Sequence, residues 1–151
     1  MSGDVSRTFP DGSSLVKAQQ LAWTPWIAPG TRFKLLDLDR SFNKMTLLIE
    51  ADAGVALPPY RHYGAGEYYI EAGAFECDRG ALGVGAYLYE PGGAVLRAAR
   101  FAVASQVYAL IHGPLRLLDA APGSDALRDL DWHLQRAREG GTAAHIPLDF
   151  D

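Results

Sequence analysis

Cysteine is nearly absent: Cys77 is the only one in 151 residues, so no intrachain disulfide can form and a stapled secreted scaffold is excluded. The opening run MSGDVSRTFPDGSS is polar and lacks the apolar stretch of a secretory leader, which makes the cytoplasm the expected location. Positive charge is also short. Against 14 Lys and Arg stand 18 Asp and Glu, a formal charge of -4 that offers no basic field to a phosphate backbone, so nucleic acid is not an expected partner. Internal repeats and low-complexity tracts are lacking. Hydrophobic residues at 48% and charged residues at 21% are ordinary globular values that suggest neither disorder nor a membrane protein. A chain of this length buries roughly two thirds of its unfolded surface, enough for one domain with a real core.

What is present is the punctuation of short strands and tight turns. Residues 1–20 read as an N-terminal arm, polar at first and broken at Pro10, Asp11 and Gly12. From Leu21 onward, segments rich in branched and aromatic residues recur between Pro29-Gly30, Asn43, Gly54, Gly73, Gly80, Pro91-Gly92-Gly93 and Gly113-Pro114. The clearest are Phe33 to Leu38, Met45 to Glu50, Glu67 to Ala72, Ala86 to Tyr89 and Val107 to Ile111. That cadence predicts an all-β sandwich or barrel over residues 21–121. Residues 122–151 change character: Ser124 is placed to cap a helix whose stripe is Leu127, Leu130, Leu134 and Ala137 and whose end is Gly140-Gly141. Such a stripe needs cover, from the barrel or from a partner subunit, and a homodimer is expected.

Two stretches carry distinctive spacings. The first runs Gly54, five residues, Tyr60, one residue, His62, three residues, Gly66, six residues, Gly73; the second runs Gly85, five residues, Pro91-Gly92-Gly93, two residues, Leu96, three residues, Arg100. These spacings resemble the two motifs of the cupin superfamily, and the resemblance implies a single-domain jelly-roll barrel, the double-stranded β-helix, here with a short C-terminal helix. In a metal-binding cupin the positions of Tyr60, His62, Gly66 and Leu96 hold His, His, Glu and His, so one of four survives. Strand alternation puts Tyr60 and His62 on one side, which the motif makes the barrel interior. Glu67 falls one place beyond the carboxylate position and reads as outward-facing together with Glu71, leaving Tyr68 and Ile70 inward. Arg100, four residues after Leu96, shares its face if the strand is regular. The lumen would then hold Tyr60, His62, Tyr68, Leu96 and Arg100, an acid-base or anion-binding cavity, since a buried guanidinium demands an anionic or hydrogen-bonding partner. In the plainer alternative Arg100 lies at the rim while Tyr60 and His62 fill a polar core. Tyr87 and Tyr89 share a face, either as core or as one wall of the lumen. His112 reads as a solvated or capped residue near the barrel mouth, His133 and His145 as surface or interface residues, and Cys77 as a small buried hydrophobe.

The run Ala22-Trp23-Thr24-Pro25-Trp26, then Pro29-Gly30, Lys34-Leu35-Leu36, Gly54 through Gly73, and Tyr87-Leu88-Tyr89-Glu90-Pro91-Gly92-Gly93 narrows the likeness. It is similar to the cupin branch of dihydroxyacetophenone dioxygenases and acetylacetone-cleaving enzymes, and to the cupin domains of some anti-sigma factors, over about residues 21–119. The resemblance implies Fe or Zn held by histidines, often with a carboxylate, acting on small enolisable ketones. In one branch that carboxylate comes from the next strand, where Glu76 or Asp78 stands in this chain. Three expectations compete. The first, which best explains the polar replacements, is a metal-free enzyme without a cofactor. In it Tyr60 and His62 are the catalytic proton donor and acceptor, Arg100, Tyr68, Leu96 and Tyr87 bind a small carbonyl or anionic substrate, and the reaction is an isomerase, cyclase or lyase step. The second is an Fe-dependent dioxygenase that keeps His62 and recruits Tyr60 with Glu67, Glu76 or Asp78. The third is a non-catalytic domain that binds or senses a small molecule.

Overall fold

The computed structural model describes residues 5–147. Strands β1 (Ser6–Thr8) and β2 (Ser14–Val16) pair as a hairpin, followed by a 3-10 turn at Ala18–Gln20. Lys34 Nζ donates to Ala18 O at 2.7 Å and lies 4.3 Å from the Trp23 ring centroid, so one buried lysine ties this arm to the barrel. The barrel follows as β3 (Thr24–Pro25), β4 (Thr31–Asp39), β5 (Lys44–Ala51), β6 (Val55–Leu57), β7 (Tyr60–His62), β8 (Gly66–Ala72), β9 (Ala74–Cys77) and β10 (Gly80–Gly83). It continues with β11 (Tyr87–Glu90), β12 (Val95–Leu96), β13 (Ala99–Phe101), β14 (Ser105–His112), β15 (Leu115–Leu117) and β16 (Leu127–Arg128), and ends in helix α1 (Leu130–Glu139).

Period-two burial explains why these segments are strands. In β14 the buried positions are Ser105, Val107, Ala109 and Ile111, and in β8 they are Gly66, Tyr68 and Ile70, so each strand offers one face to the interior. The strands form a six-stranded sheet in the order β11-β8-β14-β5-β4-β3 and two four-stranded sheets, β10-β9-β13-β6 and β12-β7-β15-β16. Phe33, Leu35, Leu47 and Ile111 of the first sheet, Phe75 and Phe101 of the second, and Tyr60, Leu96 and Leu115 of the third belong to one hydrophobic core. The architecture is a mostly β cupin barrel, a single domain, with one C-terminal helix.

The helix begins later than the sequence suggests. Leu127 pairs with Arg116 in β16, the Ser124 hydroxyl donates to Ala121 O in a turn, and the N-cap is Asp129, whose carboxylate accepts from Trp132 N at 2.7 Å. The buried stripe is Leu130, His133, Leu134 and Ala137, packed against β4, so this chain covers its own helix and the stripe no longer argues for a partner subunit. His133 is fully buried rather than superficial: its Nδ1–H donates to Asp129 O at 2.8 Å, leaving Nε2 to accept from Trp26 Nε1–H at 3.0 Å. His145 is buried too, 2.6 Å from Leu35 O through Nε2, because the segment after α1 folds back over β4. Among the described residues no helix is long and apolar enough to cross a membrane.

Candidate functional site

Strand β7 lies between β12 and β15, with Tyr60 opposite Leu96 and Leu117, and His62 opposite Leu115. Alternation turns Arg61 to solvent and leaves Tyr60 and His62 inside, 2% and 0% exposed. Tyr68 arrives from β8 and brings its hydroxyl to 2.9 Å from His62 Nε2. The His62 ring centroid is 5.5 Å from that of Tyr60, edge-on, and 5.8 Å from that of Tyr68. Gly66 makes room for this arrangement: a Cβ there would stand 2.9 Å from His62 Nε2 and nearer still to Cε1. The imidazole thus occupies the space that a side chain at position 66 would need.

Burial sets the electrostatics. It pushes the Tyr60 and Tyr68 phenols above their ordinary range, with the nearby Glu90 carboxylate acting in the same direction, and it lowers His62 to about 4. All three groups are therefore uncharged at neutral pH. His62 Nδ1 is buried with no hydrogen-bond partner. Beside the two tyrosines lies a cavity of about 20 Å³, lined by them and by apolar side chains, among them Trp26, Leu57, Phe75 and Phe101; His62 stands behind Tyr68 and does not line it. That is room for about one water molecule.

Leu96 and Tyr68 face inward as the spacing suggests, and Glu67 faces outward. Arg100 does not join them. Its guanidinium is half exposed and sits 3.7 Å from Glu76 on the outer surface. Four residues preserve facing only along an unbroken strand, and here β12 ends at Leu96 while β13 begins at Ala99 in another sheet. The Asp78 carboxylate holds the bend between them, accepting from Arg97 N at 3.0 Å and Ala98 N at 2.7 Å. Ala99 and Phe101 consequently take the inward positions. Tyr87 is likewise no lumen residue. It pairs with Tyr69, is 57% exposed, and donates its hydroxyl to Glu67 Oε1 at 2.7 Å. The inward members of β11 are Leu88, partly buried, and Glu90, 1% exposed. Sequence reasoning passed over Glu90. Its partner, Arg79, reaches it with Nε at 3.0 Å and Nη2 at 3.1 Å from the β9–β10 turn, eleven residues away, and only the fold reveals that pairing.

The donor set does not fit Fe or Zn. Among the described residues no three His, Cys, Asp or Glu side chains group closely enough to hold a metal ion. His62 spends Nε2 on Tyr68, Glu67 is bonded to Tyr87 outside, Glu76 pairs with Arg100, and Asp78 is occupied by two amides.

The same architecture recurs in solved structures. A protein of Methylibium petroleiphilum PM1 assigned as an acetylacetone dioxygenase is 27% identical, with a TM-score of 0.71 over 80% of this chain and 91% of its own. An acetylacetone dioxygenase from Acinetobacter johnsonii is 22% identical, with a TM-score of 0.67 over 93% and 89%. An RmlC-like cupin from Ralstonia eutropha JMP134 is 18% identical, with a TM-score of 0.73 over 87% and 88%. No curated protein sequence matches the chain. The family described as the ChrR cupin-like domain matches residues 11–116, and with the two motifs in place in a cupin barrel, the chain belongs to that family.

Proposed function

We propose that this barrel is a metal-independent cupin that binds a small, neutral carbonyl or enol compound through Tyr60, Tyr68 and His62. The observation that carries the reading is a pair of buried tyrosines, Tyr60 and Tyr68, on the wall of an apolar cavity, with Tyr68 hydrogen-bonded to His62 behind it. Tyrosines that stay protonated are suited to donate to a carbonyl oxygen. The anionic alternative loses its support with Arg100 outside the lumen. The dioxygenase similarity suggests the ligand class, small β-diketones and related enolisable compounds. Binding or sensing is favoured over turnover, because an imidazole at about 4 is a weak base for abstracting a proton near pH 7. The narrowness of the cavity requires its aromatic wall, Phe75 and Phe101, to yield as the ligand enters.

The test is a titration with acetylacetone, followed through the ring resonances of His62 by NMR, with acetate as the anionic control. Saturable shifts with acetylacetone and none with acetate are expected, and Tyr60→Phe should weaken binding by about tenfold, the worth of one hydrogen bond. Unmoved His62 resonances at saturating acetylacetone, or an equal response to acetate, would remove the reading.

A further inference from the structure

Outside the lumen, the edge strand β3 and helix α1 border a groove of about 500 Å³, within the size range of ordinary ligand sites, lined by Trp23, Trp26, Ile27, Trp132, Arg128 and Arg136, with the carboxylate of Glu139 on the same wall as Arg136. Both guanidiniums lie by the Trp132 indole, with Cζ atoms 5.1 Å (Arg128) and 5.2 Å (Arg136) from its ring centroid. Arg128 Nη1 donates to the carbonyls of Asp125 and Leu127, but its Nε is buried with no partner, and among the described residues no carboxylate pairs with Arg128. Arg136 has only a loose, solvent-exposed ion pair with Glu139 at 3.9 Å. Two cations therefore meet a flat aromatic wall in a chain whose formal charge is -4. The wall is set in advance. The Trp26 indole N–H is held by His133 Nε2, and His133 by the carbonyl of Asp129, which also caps α1.

We propose that this groove is a second binding site, separate from the lumen, for a small planar organic anion of the aromatic carboxylate type. The carboxylate matches the guanidinium groups that Arg128 and Arg136 bring to the groove. The ring packs on the indole and aliphatic surfaces of Trp132, Trp23 and Ile27, which an inorganic anion would leave unused. The groove shares Trp26 with the lumen cavity, but neither Arg128 nor Arg136 lines that cavity.

The probe is 2-naphthoate, titrated calorimetrically into the full chain, with 2-naphthamide as its neutral isostere. One site is expected, with the acid binding at least about tenfold tighter than the amide, as one charge-assisted pair implies. Arg136→Gln, a change at an exposed side chain that leaves the fold intact, should reduce naphthoate affinity about tenfold while leaving the amide unchanged. Arg128→Gln should do the same, with circular dichroism confirming that the variant is folded. Equal affinity for acid and amide overturns the proposal. So does naphthoate binding that is indifferent to Arg136→Gln, or an absence of heat because a second copy of the chain already closes the groove.

Discussion

Gly66 lacks a side chain because the His62 imidazole leaves it no space. The three atoms nearest to a Cβ there all belong to that ring, which Tyr68 holds at 2.9 Å and which is not free to retreat far. Gly66→Ala is therefore expected to destabilise the protein by about 1–3 kcal/mol through overpacking. Urea unfolding measures this, and the double variant Gly66→Ala/His62→Ala should recover part of the loss, since it removes the obstructing ring. If the single variant is as stable as the parent, the ring is not packed there. Glu90 shows the same logic for charge. A carboxylate 1% exposed survives in the core because Arg79 grips it with two N–H groups.

Among the elements, alternation within a strand was legible and the joins between strands were not. Tyr60, His62, Tyr68 and Ile70 lie inward because β7 and β8 are unbroken over those residues, so the residue pattern alone orients them. Arg100 lies inward only if parity runs straight from Leu96, and the join between β12 and β13 breaks it, so the alternative outside the lumen holds; Tyr87 is ambiguous because β11 is consistent with either parity until Glu90 finds Arg79. The true start of α1 was hidden by Leu127, which fits a helical stripe but is claimed by β15. Asp78 is the residue that fixes the Leu96–Ala99 join, and Asp78→Ala should cost about 1–3 kcal/mol by leaving two amides without their acceptor. Amide hydrogen exchange at Arg97 and Ala98 checks this directly: protection should fall there first, ahead of β5 and β14. Unchanged protection would mean that the bend holds without the carboxylate.

At the scale of the whole molecule, a homodimer is still our proposal, although helix α1 spends its apolar stripe on its own barrel. What remains uncovered is the outer face of the six-stranded sheet, where Tyr87, Tyr69 and Tyr108 stand opposite one another across three strands, 57%, 45% and 37% exposed. Light scattering should give twice the 16.3 kDa chain mass at micromolar concentration, and the chain mass itself would end the idea. Acid stability tests the interior as a whole. Burial lowers both His62 and His133 to about 4, from an ordinary value of 6.5, so the unfolded chain binds protons at these sites that the folded one refuses. Stability is then fully present above about pH 6.5 and declines as pH falls toward 4, by an amount of the order of 3 kcal/mol for each histidine. Carboxylates with lowered values, Asp11 and Asp78, act only below their ordinary 3.8 and do not enter this window. Urea midpoints measured from pH 7.5 to 4.5 should therefore fall below pH 6.5. His133→Gln should flatten part of that slope even though it weakens the protein at neutral pH, where the Trp26 and Asp129 hydrogen bonds are lost. A midpoint that holds steady down to pH 4.5 would show that water reaches both rings, contrary to the packing that places Tyr68 on one and Trp26 on the other.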